Sequence, residues 1–162
     1  MEINNNIRIF LVDDDSFCMG VYRQYLNSLG YYDVTSFENG PDCLNNLGLK
    51  PDVIFLDHGM DYLTGLEVLK KIRAYNPHIF VVFLSGQANI ITAVKALKLG
   101  ATEYIVKGIY DLDNIKRVLS TINKAINIKR KEIETQYIER LLHTGKQATK
   151  GSSDTTITAE LL

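Results

Sequence analysis

Short apolar runs alternate with helix-length amphipathic segments along the chain to about residue 126. The runs occupy residues 7–12, 34–37, 53–56, 79–84 and 103–106. Three of them are nearly unbroken Val, Ile, Leu and Phe, the pattern of parallel strands covered on both faces. Between them lie segments of helical period at 16–29, 40–47, 66–75 and 89–99, and a last one begins at Asp111. The punctuation agrees. Gly30 and Gly100 sit just past the first and fourth helices, where a left-handed residue closes a helix. Asn76-Pro77 stops the third before the fourth strand. Thr64-Gly65 is placed to start the third helix, and Asp111 to cap the fifth. Five βα units with short connections predict right-handed crossovers and an open, doubly wound α/β sheet.

In such a sheet the functional edge lies at the carboxyl ends of the strands. The first strand ends in Asp13-Asp14-Asp15, the third in Asp57, the fourth in Ser85-Gly86 and the fifth in Lys107-Gly108. Four strands thus deliver an acid cluster, a hydroxyl and an ammonium to one edge. Carboxylates sharing a pocket cannot all stay ionised without a counter-ion. A hard divalent cation such as Mg²⁺, held by oxygen ligands, resolves the conflict. Asp57 is then a candidate nucleophile toward phosphorus, forming an aspartyl-phosphate. Lys107 and Ser85 can serve the phosphoryl oxygens as a point charge and a hydrogen-bond donor.

The stretches LVDDDSF, DVIFLDHGMDYLTGLEVLKKIR, VVFLSGQAN and GATEYIVKGIYD resemble, in order and spacing, the receiver domain of bacterial two-component response regulators. The resemblance covers residues 7 to about 126. It implies a five-stranded flavodoxin-like parallel sheet of order 2-1-3-4-5 with an extended C-terminal helix. It also implies a phosphorylation-controlled switch that takes its phosphoryl group on Asp57 from a sensor histidine kinase or phosphotransfer protein. Asp14 would be a direct Mg²⁺ ligand, Asp13 would reach the metal through water, and the backbone carbonyl of Gly59 would complete the protein ligands with Asp57. Ser85 would swing toward the phosphoryl oxygens, Tyr104 would be the aromatic switch, and Lys107 the paired lysine. Such a domain is a phosphoacceptor that assists its own phosphorylation and dephosphorylation, not an enzyme acting on a separate substrate.

The chain departs from the family pattern at three places. Asp61 stands where proline is usual, and its carboxylate is expected in water. Lys107-Gly108 replaces a lysine–proline pair. A cis bond without proline costs roughly 2.5–4 kcal/mol, so a trans bond with an altered loop is preferred over a strained cis bond. Gly86 follows Ser85 where alanine is frequent. Gln87, two beyond the hydroxyl, and Gly59, two beyond the acceptor, bear on phosphoryl lifetime, with no sign assigned. Asp15 or Ser16 is expected to cap the first helix. Alternation past a strand end turns His58 away from Asp57, so it is expected satisfied or exposed. His78 and His143 have no partner in sequence.

The helical pattern continues beyond residue 126 through Ile133, Tyr137 and Leu141, with Lys129 interrupting the seam. Unbroken from 111 to 143, such a helix is about 50 Å long, and its outer half must dimerise, dock or lead elsewhere. Residues 145–162 are polar and rich in Gly, Ser and Thr, the composition of a flexible tail. The expected organisation is a receiver domain over 1–126, a helical extension over 127–144 that forms a coiled coil or linker, and the tail over 145–162. With 162 residues and a net charge of −1, the chain shows no bias toward nucleic acid. Seven Lys/Arg against three Glu in 124–150 read as a solvated helix face. No apolar run approaches the roughly 20 residues of a membrane helix. Cys18 and Cys43 lack metal spacing and fit a reducing compartment. A cytoplasmic protein without direct nucleic-acid or membrane contact is expected, with an unidentified downstream protein and a possible homodimer as partners. Two alternatives remain: a degenerate receiver serving as a dimerising scaffold, and an aspartyl-phosphate phosphatase. The second lacks an acid at Gly59, two beyond the nucleophile.

Overall fold

A computed structural model describes residues 6–150. The chain divides into two units, Met1–Asn123 and Lys124–Leu162. The first unit holds five parallel strands, β1 (Ile9–Val12), β2 (Val34–Phe37), β3 (Val53–Asp57), β4 (Phe80–Ser85) and β5 (Glu103–Val106). Their order is 2-1-3-4-5, as expected. The central strands β1 and β3 are buried along their whole length, which explains their unbroken apolar runs.

The helices are α1 (Ser16–Ser28), α2 (Gly40–Asn45), α3 (Gly65–Tyr75), α4 (Ile90–Lys98) and α5 (Asp111–Lys150). The segment expected as one helix over 40–47 ends at Asn45, and a 3₁₀ turn, Leu47–Leu49, follows. Asp15 caps α1, accepting from the N–H groups of Phe17 and Cys18. Thr64 and Glu67 form a capping box at α3, each satisfying a free N–H of the other's segment. Gly30 and Gly100 close α1 and α4 at φ +87° and +96°. Asp111 does not cap α5 as expected. It is the first helical residue, and its carboxylate accepts from the neighbouring Leu112 N–H and from the Tyr22 hydroxyl.

One core cluster includes Phe10, Val12, Ile54, Leu56, Phe83, Val68, Leu69 and Ile72, with Cys43 among them. Burial pushes the Cys43 thiol up to about 12. On α4 only Ala96 is fully buried, and Ile90 and Ile91 are exposed. The second unit continues α5 as helix with Ile128, Ile133, Tyr137, Ile138, Leu141 and Leu142 exposed. The helix runs on to Lys150, so residues 145–150 of the expected tail are helical instead, and the rest of the tail lies outside the described residues. Among the described residues no helix is long and apolar enough to cross a membrane.

Gly65 shows how tightly β3 and α3 meet below the strand tips. A Cβ there would lie 2.6 Å from the Asp57 carbonyl oxygen and 2.9 Å from Phe83 Cε1. Gly65→Ala is therefore expected to lower unfolding free energy by about 1–3 kcal/mol through overpacking. Gly20, exposed inside α1 with open space around it, gives the opposite sign. Gly20→Ala should stabilise by about 0.5–1 kcal/mol through backbone entropy. Urea unfolding of both variants checks the pair of signs.

Candidate functional site

Asp57 ends β3 and is 6% exposed. Its Oδ2 accepts from the Gly59 N–H at 2.8 Å, and its Oδ1 lies 2.7 Å from the Lys107 ammonium. The same ammonium lies 2.7 Å from Asp13 Oδ2, while Asp13 Oδ1 accepts from the Asp15 N–H at 2.9 Å. Lys107 follows β5 directly, and its own N–H donates to the Ser85 carbonyl at 2.8 Å. The four strand tips named from sequence are therefore joined through one lysine.

Burial alone would favour the neutral amine of Lys107, but hydrogen bonds and charge from Asp13 and Asp57 outweigh it and hold the ammonium above the ordinary lysine range. Asp13 carries the opposite tension. Burial pushes its carboxyl up, against the pull of Lys107 and the Asp15 N–H. Asp14, exposed where the other two acids are buried, completes the cluster. One carboxylate oxygen from each of Asp13, Asp14 and Asp57 lies within 4.8 Å of the other two. Three carboxylates against one ammonium leave negative charge uncompensated, and all the donors are hard oxygens. That donor set fits a divalent cation of the Mg²⁺ type.

Ser85 is engaged by the Gln87 main chain. Its hydroxyl donates to the Gln87 carbonyl at 3.2 Å and accepts from the Gln87 N–H at 3.3 Å. The half-buried Tyr104 donates its hydroxyl to that same carbonyl at 3.2 Å. Its ring stacks on Phe83, centroids 6.2 Å apart and planes 14° from parallel. Asn89, the N-cap of α4, donates its N–H there at 3.0 Å. The Gln87 carbonyl thus ties the hydroxyl, the tyrosine and the start of α4 together. Sequence reading considered only the Gln87 side chain, because a main-chain acceptor leaves no mark in residue type.

Among the remaining expectations, Asp61, His78 and His143 are exposed. Lys107-Gly108 is trans, as are all peptide bonds of the described residues. Gly108 adopts φ +154°, a conformation that favours glycine. His58 departs from expectation. Its ring lies near Phe83, 6.4 Å between centroids, and its Nδ1 is buried without a hydrogen-bond partner. It is thus neither exposed nor fully satisfied, because the turn into α3 packs against it.

The sequence profile described as "Response regulator receiver domain" matches residues 9–120. The chain belongs to the receiver domain family of response regulators. It is 31% identical over 117 residues to the regulatory protein LuxO of Vibrio vulnificus strain YJ016, covering 72% of this chain and 25% of that protein. It is 33% identical over 124 residues to the transcriptional regulatory protein ZraR of Escherichia coli strain K12, covering 76% of this chain and 27% of that one. The receiver domain therefore spans about a quarter of the length of these curated relatives. The solved signal receiver domain of a putative LuxO repressor from Vibrio parahaemolyticus superposes with a TM-score of 0.70 at 25% identity, covering 76% of this chain and 95% of that one. NtrX from Brucella abortus gives a TM-score of 0.70 at 26% identity, covering 80% and 29%.

In this receiver domain Lys107 is the counter-charge that lets Asp13 and Asp57 sit together. Lys107→Ala is expected to destabilise the metal-free protein by about 3 kcal/mol at neutral pH, since it strands buried charge. The deficit should shrink in acid, where protonating one carboxylate removes the repulsion. Denaturant titrations of wild type and variant at pH 7 and pH 5 check both the size and the direction.

Proposed function

We propose that the protein is a phosphorylation-controlled signalling switch, with Asp57 accepting a phosphoryl group from the phosphohistidine of a sensor histidine kinase or phosphotransfer protein. The observation that carries this reading is the Asp57 carboxylate, buried at a strand tip, paired with Lys107 and flanked by two further acids. Family membership supports it. An Asp57 oxygen attacks phosphorus, the P–N bond breaks, and the imidazole leaves with the electron pair. A mixed anhydride remains on Asp57.

Asp14, Asp57 and the backbone carbonyl of Gly59 would hold Mg²⁺, with Asp13 acting at one remove. The division between the two acids follows their partners. Both Asp13 oxygens are engaged by Lys107 and the Asp15 N–H, whereas Asp14 is exposed. When bound, the cation neutralises charge on the transferring oxygens. Lys107 then follows those oxygens as a second positive charge. The Ser85 hydroxyl leaves Gln87 to donate to them, Tyr104 adjusts against Phe83, and the start of α4 feels the change. The chain catalyses gain and loss of its own phosphoryl group rather than turnover of a separate substrate. A phosphatase reading has no support from Gly59, which offers no acid to a leaving group.

Residues 1–126 make up the receiver, and the helix over 127–144 serves as linker or homodimer contact, its exposed Ile133, Tyr137 and Leu141 suiting either. The setting is cytoplasmic, and the downstream partner is another protein. Sedimentation with and without beryllofluoride tests the dimer: a shift toward dimer with the mimic is expected, and an unchanged monomer refutes it.

With acetyl phosphate and Mg²⁺ the intact protein should gain about 80 Da, and Asp57→Ala should abolish the gain. A wild type that stays unmodified refutes the acceptor role. Asp14→Asn should weaken Mg²⁺ binding by at least tenfold, whereas Asp15→Asn, which keeps a capping oxygen, should change little. Isothermal titration with Mg²⁺ separates the two.

A further inference from the structure

Lys107 is held on one side by the pairing of β5, and the loop that follows it is joined to the start of α5 by main-chain bonds, Asp111 N–H to the Gly108 carbonyl at 3.5 Å and Asn114 N–H to the Tyr110 carbonyl at 3.0 Å. Gly108 adopts φ +154°, and Ile109 and Tyr110 are 92% and 71% exposed. Four residues after Lys107 the chain is fastened again, at Asp111. This carboxylate is only 9% exposed. Its Oδ2 accepts from the Tyr22 hydroxyl at 2.8 Å, and its Oδ1 accepts from the Leu112 N–H at 2.9 Å. Tyr22 lies on α1 and is 5% exposed.

A buried carboxylate needs a reason, because an apolar pair of similar volume would pack without desolvating charge. One oxygen of Asp111 serves a free first-turn N–H, that of Leu112, and the other is given to the Tyr22 hydroxyl. What the pair accomplishes is a tie between α1 and the end of the β5–α5 loop. Helix α1 is also fastened to the acid cluster, through the Asp15 N–H on Asp13. Asp15 and Tyr22 are two helical turns apart on one face. A single helix therefore holds Asp13 at its N-terminus and, from its middle, the end of the loop that follows Lys107. Burial and the adjacent Asp111 push the Tyr22 phenol well above its ordinary range, so it stays protonated and acts as donor.

We propose that Tyr22 and Asp111 are positioning residues for phosphoryl transfer: their buried hydrogen bond fixes the β5–α5 loop and thereby keeps the Lys107 ammonium between Asp13 and Asp57. The proposal rests on the acceptor role of Asp57. In a chain whose loop has glycine after the lysine, this bond adds a tie to α1 beside the loop's own main-chain bonds to α5.

Phosphorylation of the full chain by acetyl phosphate, followed by intact mass against time, tests it at saturating Mg²⁺. Tyr22→Phe keeps the ring and removes the donor. Its maximal rate should fall about tenfold, as a displaced catalytic charge does, while the Mg²⁺ concentration for half-maximal rate stays within twofold. Asp111→Asn retains an acceptor for Tyr22 and should keep most of the rate, whereas Asp111→Leu should behave like Tyr22→Phe. The amide signals of residues 108–110 should lose order in the two slow variants. A Tyr22→Phe protein that phosphorylates at the wild-type rate overturns the proposal alone. So does an Asp111→Asn protein as slow as Asp111→Leu, since the shared hydrogen bond would then not be what matters. A wild type that takes no phosphoryl group overturns the acceptor role and the proposal together.

Discussion

Everything at the strand tips depends on one ammonium placed between two carboxylates. Lys107 sits 2.7 Å from both Asp13 and Asp57, and without it these two buried acids would repel each other. The arrangement is poised rather than neutral. Asp14 adds a third carboxylate to the same few ångströms, so the edge stays negative and receptive to a cation. Lys107 is also a compact charge on a flexible stem, able in the proposed transfer to follow new oxygens on Asp57. In the proposed function the charge that stabilises the resting fold is also the charge offered to a transferred phosphoryl group.

Around that interaction the fold supplies two kinds of support. Rigid support comes from the sheet: β1 and β3 are fully buried, and Gly65 lets α3 press against the end of β3. Looser support comes from β5 and α4, beyond the tip of the buried β4. There a single main-chain oxygen, that of Gln87, accepts from Ser85, Tyr104 and Asn89. Helix α4 buries only Ala96 completely. Few buried apolar contacts make an element easy to shift. A change at Ser85 thus meets the least anchored part of the domain, while the acids stand on the most anchored part.

Much of this was legible in the residue pattern. Strand runs of Val, Ile, Leu and Phe marked the sheet because parallel strands need apolar residues on both faces. The bounds of β2 and β5 agree with those runs to the residue, and those of β1 and β4 shift by one or two. Asp13, Asp57, Ser85 and Lys107 could be named because a doubly wound sheet gathers its strand ends. Asp15 was separable from its two neighbours because helix caps follow local rules, and it caps α1. Asp111 misled, because the same local rule was overridden by a partner 89 positions away in sequence.

The sequence by itself determined the order of elements, the edge of the sheet that carries chemistry and the residues delivered there. Each of these follows from short-range periodicity and from topology. Only the tertiary structure decided which oxygen each donor meets. Lys107 between two acids, Tyr22 on Asp111, Ser85 and Tyr104 on one carbonyl, and the unpartnered Nδ1 of His58 all depend on distances between segments far apart in the chain. A hydrogen bond is won or lost over a few tenths of an ångström, and residue spacing along the chain carries no information at that scale.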